Sequence, residues 1–255
     1  MANVTGAAAD EAAARQELAP TGTLRVAIAV GPAASALWSL RDADGTRRGV
    51  PVELGTALAR KLGVPVTLVE YSASGAIISA TARNEWDVTF VPVDDDRKQV
   101  VDFGSPYHLL QSTYLVAPGS SIKTLAEVDC AEVRIAGVDG TATYRASRRS
   151  APNATPVTVK GPDEAVALMR AGKVDAMALS RETIAGLLEA LPGARALDEA
   201  FMNSTTAVAV PKNKPAGRAY VSAFIEDAKA SGLIRRAFDA MGLHTSQVAP
   251  PGMEP

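Results

Sequence analysis

Cysteine is almost absent from this chain. Cys130 stands alone among 255 residues, so no intramolecular disulfide and no cysteine-rich metal site can form. A lone cysteine is expected as a small buried hydrophobe. Histidine is nearly as scarce. His108 and His244 lie far apart without metal-ligand spacing, and both are expected as surface or packing residues. No metal and no cofactor is expected. A basic excess is missing too: 26 Lys and Arg against 28 Asp and Glu leave a net charge of −2, which argues against nucleic acid or an anionic membrane as partner. The longest apolar runs, such as residues 24–30, are far too short to span a bilayer. Aromatic residues make up 5% of the chain, so ring stacking in a pocket is scarce. Residues 1–20 lack the basic and apolar regions of a secretory leader. They are expected as a frayed tail or a short solvated helix.

What is present is an alternation of strand and helix patterns. Residues 24–30 read as a strand. Residues 53–62 read as a helix with Leu54, Leu58 and Leu62 in one apolar stripe, stopped by Gly63 in the position where a left-handed cap is favoured. Strand 64–71, helix 75–83 and strand 87–93 follow. The pattern then restarts: strand 133–138, helix 141–149, strand 156–160, helix 162–171 with Asp163 and Glu164 in its first turn, strand 174–179 and helix 182–190. Two similar βαβαβ blocks thus occupy about 23–110 and 131–205. Segments 112–119 and 205–212 are β-rich and read as two connecting strands. The helix at 216–231, with Val221, Phe224, Ile225 and Ala228 on one face, is expected to pack back on the first block. The expected architecture is α/β, with two βαβ lobes joined by two crossover strands and a cleft between them. After a tail at 1–20, lobe one takes 21–112 plus 208–255 and lobe two takes 113–207.

One segment carries chemistry. The apolar run 88–93 leads into Asp94-Asp95-Asp96-Arg97. Strand C-termini are where open α/β domains bind ligands, and arginine grips a carboxylate with two parallel hydrogen bonds. Asp94 reads as a helix N-cap. Tyr107 and Tyr114 are expected to pack near the crossover. The Arg145, Arg148, Arg149 cluster reads as a solvated helix face. The loop at 137–141 lacks the lysine of a nucleotide-binding loop. No Ser-His-Asp, Cys-His or metal constellation is visible.

In register, many short pieces resemble the bacterial solute-binding proteins of the polar amino-acid type, which feed ABC importers. They include Gly22-Thr23-Leu24-Arg25-Val26, Trp86-Asp87-Val88, Arg97 with Val101-Asp102-Phe103 and Pro106-Tyr107, Gly140-Thr141, Gly172-Lys173-Val174-Asp175-Ala176 and Ala207-Val208-Ala209-Val210-Pro211-Lys212. The match runs from about Gly22 to Leu243. The resemblance implies a type II periplasmic-binding fold, with the ligand closed between two lobes. It places Arg97 on the ligand carboxylate, together with the start of the 141–149 helix: Thr141, the backbone of Ala142, and Thr143, which adds a hydroxyl. Helix N-termini suit that task because their N–H groups are unpaired.

Two positions depart from the family pattern. Ser180 stands where an aspartate usually pairs with an α-ammonium, and Pro92 stands where a hydroxyl is usual. A buried ammonium needs an anion or a full set of acceptors. Glu182 can substitute only if its loop turns inward. The aromatic positions are also thin: the front loop is Gly31-Pro32-Ala33-Ala34-Ser35-Ala36-Leu37-Trp38, and the second position reads Ser72-Ala73-Ser74. The pocket is therefore roomy or filled by Leu37 or Trp38. The expected function is capture of a small carboxylate-bearing ligand, not a standard α-amino acid, by a non-enzymatic monomer delivering to an ABC permease. The competing readings are a cyclohexadienyl-dehydratase-like enzyme with Glu182 as acid, and a cytosolic sensor. The expected location is periplasmic if a leader has been removed, otherwise cytoplasmic.

Overall fold

Each apolar run becomes a strand of one mixed sheet, and each amphipathic stripe becomes a helix laid on it. The structure is a computed structural model. It describes residues 2–30 and 37–255, with side chains from residue 10 onward. Helix α1 (Ala2–Leu18) precedes β1 (Leu24–Ala29), the short hairpin β2 (Leu40–Arg41) and β3 (Arg47–Arg48), α2 (Val50–Leu62), β4 (Val66–Tyr71), α3 (Ser74–Ser79), β5 (Val88–Pro92) and α4 (Asp95–Lys98). The long strand β6 (Val101–Val116) leads to α5 (Leu125–Val128), β7 (Arg134–Val138), α6 (Ala142–Ser150), β8 (Thr155–Val159), α7 (Pro162–Arg170), β9 (Ala176–Ser180), α8 (Arg181–Leu187) and β10 (Arg195–Ala196). Strand β11 (Met202–Pro211) returns to α9 (Pro215–Ala230), α10 (Leu233–Ala240) and β12 (Gln247–Val248).

The strand order is β4-β1-β5-β11-β6-β9-β7-β8. At one end β4, β1 and β5 are parallel, and at the other so are β8, β7 and β9. Between them β6 and β11 run antiparallel to each other and to their neighbours. Two βαβ lobes are thus joined by two crossover strands. Their central strands are covered on both faces and nearly continuously apolar, as parallel strands must be: β5 and β9 are buried at every residue.

The stripe Leu54, Leu58 and Leu62 is buried in α2 and meets Leu24, Val26 and Phe90 of the adjoining strands. Gly63 ends that helix at φ 69°, a left-handed conformation that costs glycine nothing. Val221, Phe224 and Ile225 of α9, with Ile234 and Phe238 of α10, join the same core. The second lobe has cores on both sheet faces, Leu115, Met169, Met177 and Leu187 on one and Tyr114, Val128 and Ile135 on the other.

Two expectations change, those for the N-terminal segment and for Cys130. The N-terminal segment is a helix anchored at its C-terminal half. Ala14 and Leu18, one turn apart, are buried, and α1 packs on α9, with Glu17 accepting the Gly217 N–H at 2.7 Å. Cys130 is exposed and donates its thiol to Glu132 at 2.8 Å. His108 is a packing residue, fully buried in β6 with its ring edge-on to Phe238, and its Nε2 lies 3.0 Å from Glu182. Among the described residues, no helix is long and apolar enough to cross a membrane.

Candidate functional site

The C-terminal ends of the parallel strands converge on one cavity of about 90 Å³. That is several times the roughly 10–15 Å³ one water requires. Lobe one contributes Ala29 at the end of β1, Ser72, Ala73 and Ser74 after β4, Pro92 at the end of β5, and Trp38. Lobe two contributes Val138 from β7, Thr141, Ala142 and Thr143 at the start of α6, and Ala178, Leu179, Ser180 and Thr183 around the β9–α8 junction. Strand ends at a change of connection direction are where α/β sheets hold ligands.

The polar wall is made of hydroxyls and helix ends. Thr141 is the N-cap of α6: its Oγ1 accepts the Tyr144 N–H at 3.2 Å and donates to the Val138 carbonyl at 2.7 Å. That leaves the first N–H groups of the helix, on Ala142 and Thr143, without intrahelical partners. Thr143 shares a 3.2 Å hydrogen bond with Ser112 of β6. Ser180 caps α8 by accepting the Thr183 N–H at 3.2 Å, and its hydroxyl lies 3.0 Å from that of Thr183.

Arg97 stands one layer behind this wall and is not itself among the lining residues. Its side chain is 1% exposed. Nη1 donates to the Pro92 carbonyl at 2.9 Å, and Nη2 donates to Ser74 Oγ at 2.8 Å and to the Gly140 carbonyl at 3.4 Å. Nε has no hydrogen-bond partner among the described residues and lies 3.3 Å from Asp94 Oδ2. Burial pulls the guanidinium down to about 10, against the opposing pull of Asp94, so it is cationic at neutral pH. Asp94 caps α4, accepting the Arg97 N–H at 3.1 Å. The cation thus reaches the cavity through Ser74, the hydroxyl it polarises.

Ser74, Pro92, Trp38, Thr141, Ala142, Thr143 and Ser180 are therefore brought together, with Arg97 adjoining them. Leu37 is core, packed with Leu54 and Phe90, and does not fill the pocket. Gly31–Ala36 of the front loop lie outside the described residues. Glu182 does not line the cavity. Its Oε1 meets His108 Nε2 at 3.0 Å and Ser246 Oγ at 3.4 Å, so it does not turn inward toward an ammonium. Among the described residues, the lining holds no carboxylate.

Sequence reasoning missed Arg145. It lies not on a solvated face but beneath the cleft rim, paired with Asp94 and, at 2.9 Å, with Asp96. Nothing in the local pattern marks it, because its partners lie about fifty residues away in the chain.

Residues 26–241 match the model of the bacterial extracellular solute-binding proteins, family 3. The probable histidine-binding protein of Campylobacter jejuni is 25% identical over 152 residues, and the matched stretch spans 58% of this chain and 58% of that protein. The solved structure of the ancestral amino acid-binding protein AncCDT-1, a precursor of cyclohexadienyl dehydratase, is 26% identical with a TM-score of 0.78, covering 89% of this chain and 98% of the other. A mutant of ArgBP from T. maritima is 20% identical, with a TM-score of 0.79 and coverage of 90% and 99%. An amino acid ABC transporter substrate-binding protein from Streptococcus pneumoniae bound to L-arginine is 22% identical, with a TM-score of 0.78 and coverage of 92% and 99%. The last two speak to the fold alone, which is that of the type II periplasmic binding proteins.

Proposed function

The chain belongs to family 3 of the bacterial extracellular solute-binding proteins, and from that premise we propose that it captures a small carboxylate-bearing ligand lacking an α-ammonium. Closure of the two lobes traps the ligand for delivery to an ABC permease, outside the cytoplasmic membrane. The observation that carries this reading is the charge of the wall. A buried cation and the N-terminus of α6 converge on a cavity whose lining, among the described residues, holds no carboxylate. A carboxylate there meets Ser74, the Ala142 and Thr143 N–H groups and, once Gly140 moves aside, Arg97 itself. Among the described residues, an ammonium meets hydroxyls and no anion, and those of Ser180 and Thr183 already bond each other. Leaving a buried ammonium without an anion is costly. Binding on both lobes makes the ligand favour the closed state, which is the differential affinity that closure requires.

A thermal-shift screen over amino acids, keto acids, aromatic acids and dicarboxylates tests the reading. A ligand at 100 times its dissociation constant adds about 2.7 kcal/mol. Carboxylates without an α-amino group are expected to give the largest shifts. A best shift from arginine, glutamine or histidine would overturn the exclusion of amino acids.

A second reading is favoured by the likeness to a precursor of cyclohexadienyl dehydratase. Such a reaction needs a general acid at the substrate, and Glu182 faces His108 instead. Incubation with prephenate or arogenate is expected to give no rise in aromatic absorbance.

A further inference from the structure

Arg145 does not touch the cavity, yet it joins the two lobes at the point where the cation is held. It projects from α6 of lobe two. Its guanidinium bonds Asp94, its Nε lies 2.9 Å from Asp96 Oδ2, and its Nη1 donates to the Gly140 carbonyl at 3.1 Å. Asp94 and Asp96 belong to the α4 region of lobe one. The same Gly140 carbonyl accepts from Arg97 at 3.4 Å, so one oxygen of lobe two is shared by a cation from each lobe. Beside it the backbones touch: a Cβ added to Gly75 would lie 2.8 Å from Gly140 Cα. The cluster is therefore a contact of the closed arrangement. Of its carboxylates, Asp94 meets both arginines, whereas Asp96 meets Arg145. The Asp94 side chain is 14% exposed and that of Arg145 28%, so their attraction is partly shielded from salt and solvent.

We propose that Arg145 is a positioning residue for ligand capture, which latches the lobes through Asp94 and Asp96 and at the same time draws the Asp94 carboxylate off Arg97. Two consequences follow from the geometry. No ligand atom is needed for the latch, so it raises the closed population for every ligand alike, and apparent affinity rises with the competent fraction. Asp94, shared between two guanidinium groups, neutralises only part of Arg97. The remaining positive charge is left for an anion. When the lobes part, Arg145 leaves, Asp94 falls to Arg97 alone, and the site weakens as it opens. The inference rests on the two-lobed fold and not on the identity of the ligand.

The test needs no ligand. Spin labels on Arg60→Cys in α2 and Arg170→Cys in α7, in a Cys130→Ser background, report the interlobe distance by double electron–electron resonance. Arg145→Met is expected to lower the closed-to-open ratio about three- to tenfold, with Arg145→Lys in between. Gly75→Ala, whose methyl meets the Gly140 backbone, supplies the reference for lobes held apart. In an Asp94→Asn, Asp96→Asn background, Arg145→Met should have no further effect. Raising NaCl to 1 M on the unsubstituted protein should shift the distribution the same way, a check that survives if a variant fails to fold. Coinciding distances for the protein with and without Arg145, or an effect that persists without Asp94 and Asp96, would overturn the proposal. Either result leaves the outcome of the carboxylate screen untouched.

Discussion

The two lobes solve one problem in the same way and a second in opposite ways. Each fastens the start of its first strand with an arginine forked onto an aspartate. In lobe one, Asp87 accepts the backbone N–H, Nε and Nη2 of Arg25 at 2.8–3.0 Å. In lobe two, Asp175 accepts the same three donors of Arg134 at 2.8–2.9 Å. The cleft ends also share a plan, a capping residue whose side chain takes the N–H three residues on: Asp94 with Arg97, Ser180 with Thr183. Here the chemistry diverges. One lobe places an ion pair at that turn and the other places two hydroxyls. The scaffold is repeated, while only one of the two capping turns carries an ion pair.

The shared clamp separates first by burial. Asp87 is completely buried, with Lys214 at 3.7 Å leading into α9, whereas the Asp175 side chain is 34% exposed. Removing one partner of a buried pair leaves an uncompensated charge and costs about 3–5 kcal/mol, while exposed pairs are worth about 1 or less. Asp87→Ala is therefore expected to destabilise by several kcal/mol in urea unfolding, and Asp175→Ala by about 1 kcal/mol. Equal losses would show that the extra helices on lobe one do not change the medium around its clamp.

The divergent turn is tested by affinity. Arg97→Ala should weaken carboxylate binding by about 2–5 kcal/mol, or 30- to several-thousand-fold, in calorimetry with the best ligand from the screen. Ser180→Asp keeps a capping side chain and gives lobe two the anion it lacks. It should improve binding of α-amino acids about tenfold, near 1.4 kcal/mol, and weaken plain carboxylates. If it improves neither class, the position does not face the ligand's amino end.

Much of this arrangement was legible in the sequence, and the exceptions have physical causes. The Leu54–Leu62 stripe, the two βαβ blocks and the strand that delivers Arg97 follow from periodicity. The full length of β6 does not. Gly104, Ser105 and Pro106 break its pattern, and they sit where the register against β11 slips between Ala207 and Ala209, a place where a sheet tolerates proline. Helix α10 was hidden because its buried stripe, Ile234, Ala237 and Phe238, covers a single turn or so. The direction of Glu182 depends on local geometry. Two residues beyond Ser180 on a helix is about 200° of rotation, so when Ser180 faces the cavity Glu182 faces away, toward His108. Arg145 was unreadable for a different reason, since only the closed tertiary structure brings α6 against α4.

The smallest expected difference between the clamps is one of pH, and it isolates the exposed one. The Arg134 hydrogen bonds hold the Asp175 carboxyl below its ordinary value, against a smaller opposing effect of burial. A depressed folded value means that the unfolded chain binds more protons between the two values. The stabilisation is then complete above the unfolded value of about 3.9 and is lost as pH falls through the folded one. Replacing Asp175 with Asn removes a proton site from that window. The melting temperature of Asp175→Asn should therefore lie slightly below that of the unsubstituted protein at pH 7, and the two should converge as pH drops below about 4. A gap that stays constant down to pH 2 would mean that the Arg134 contact stabilises through geometry rather than charge, and that the resemblance between the two clamps ends at their hydrogen bonds.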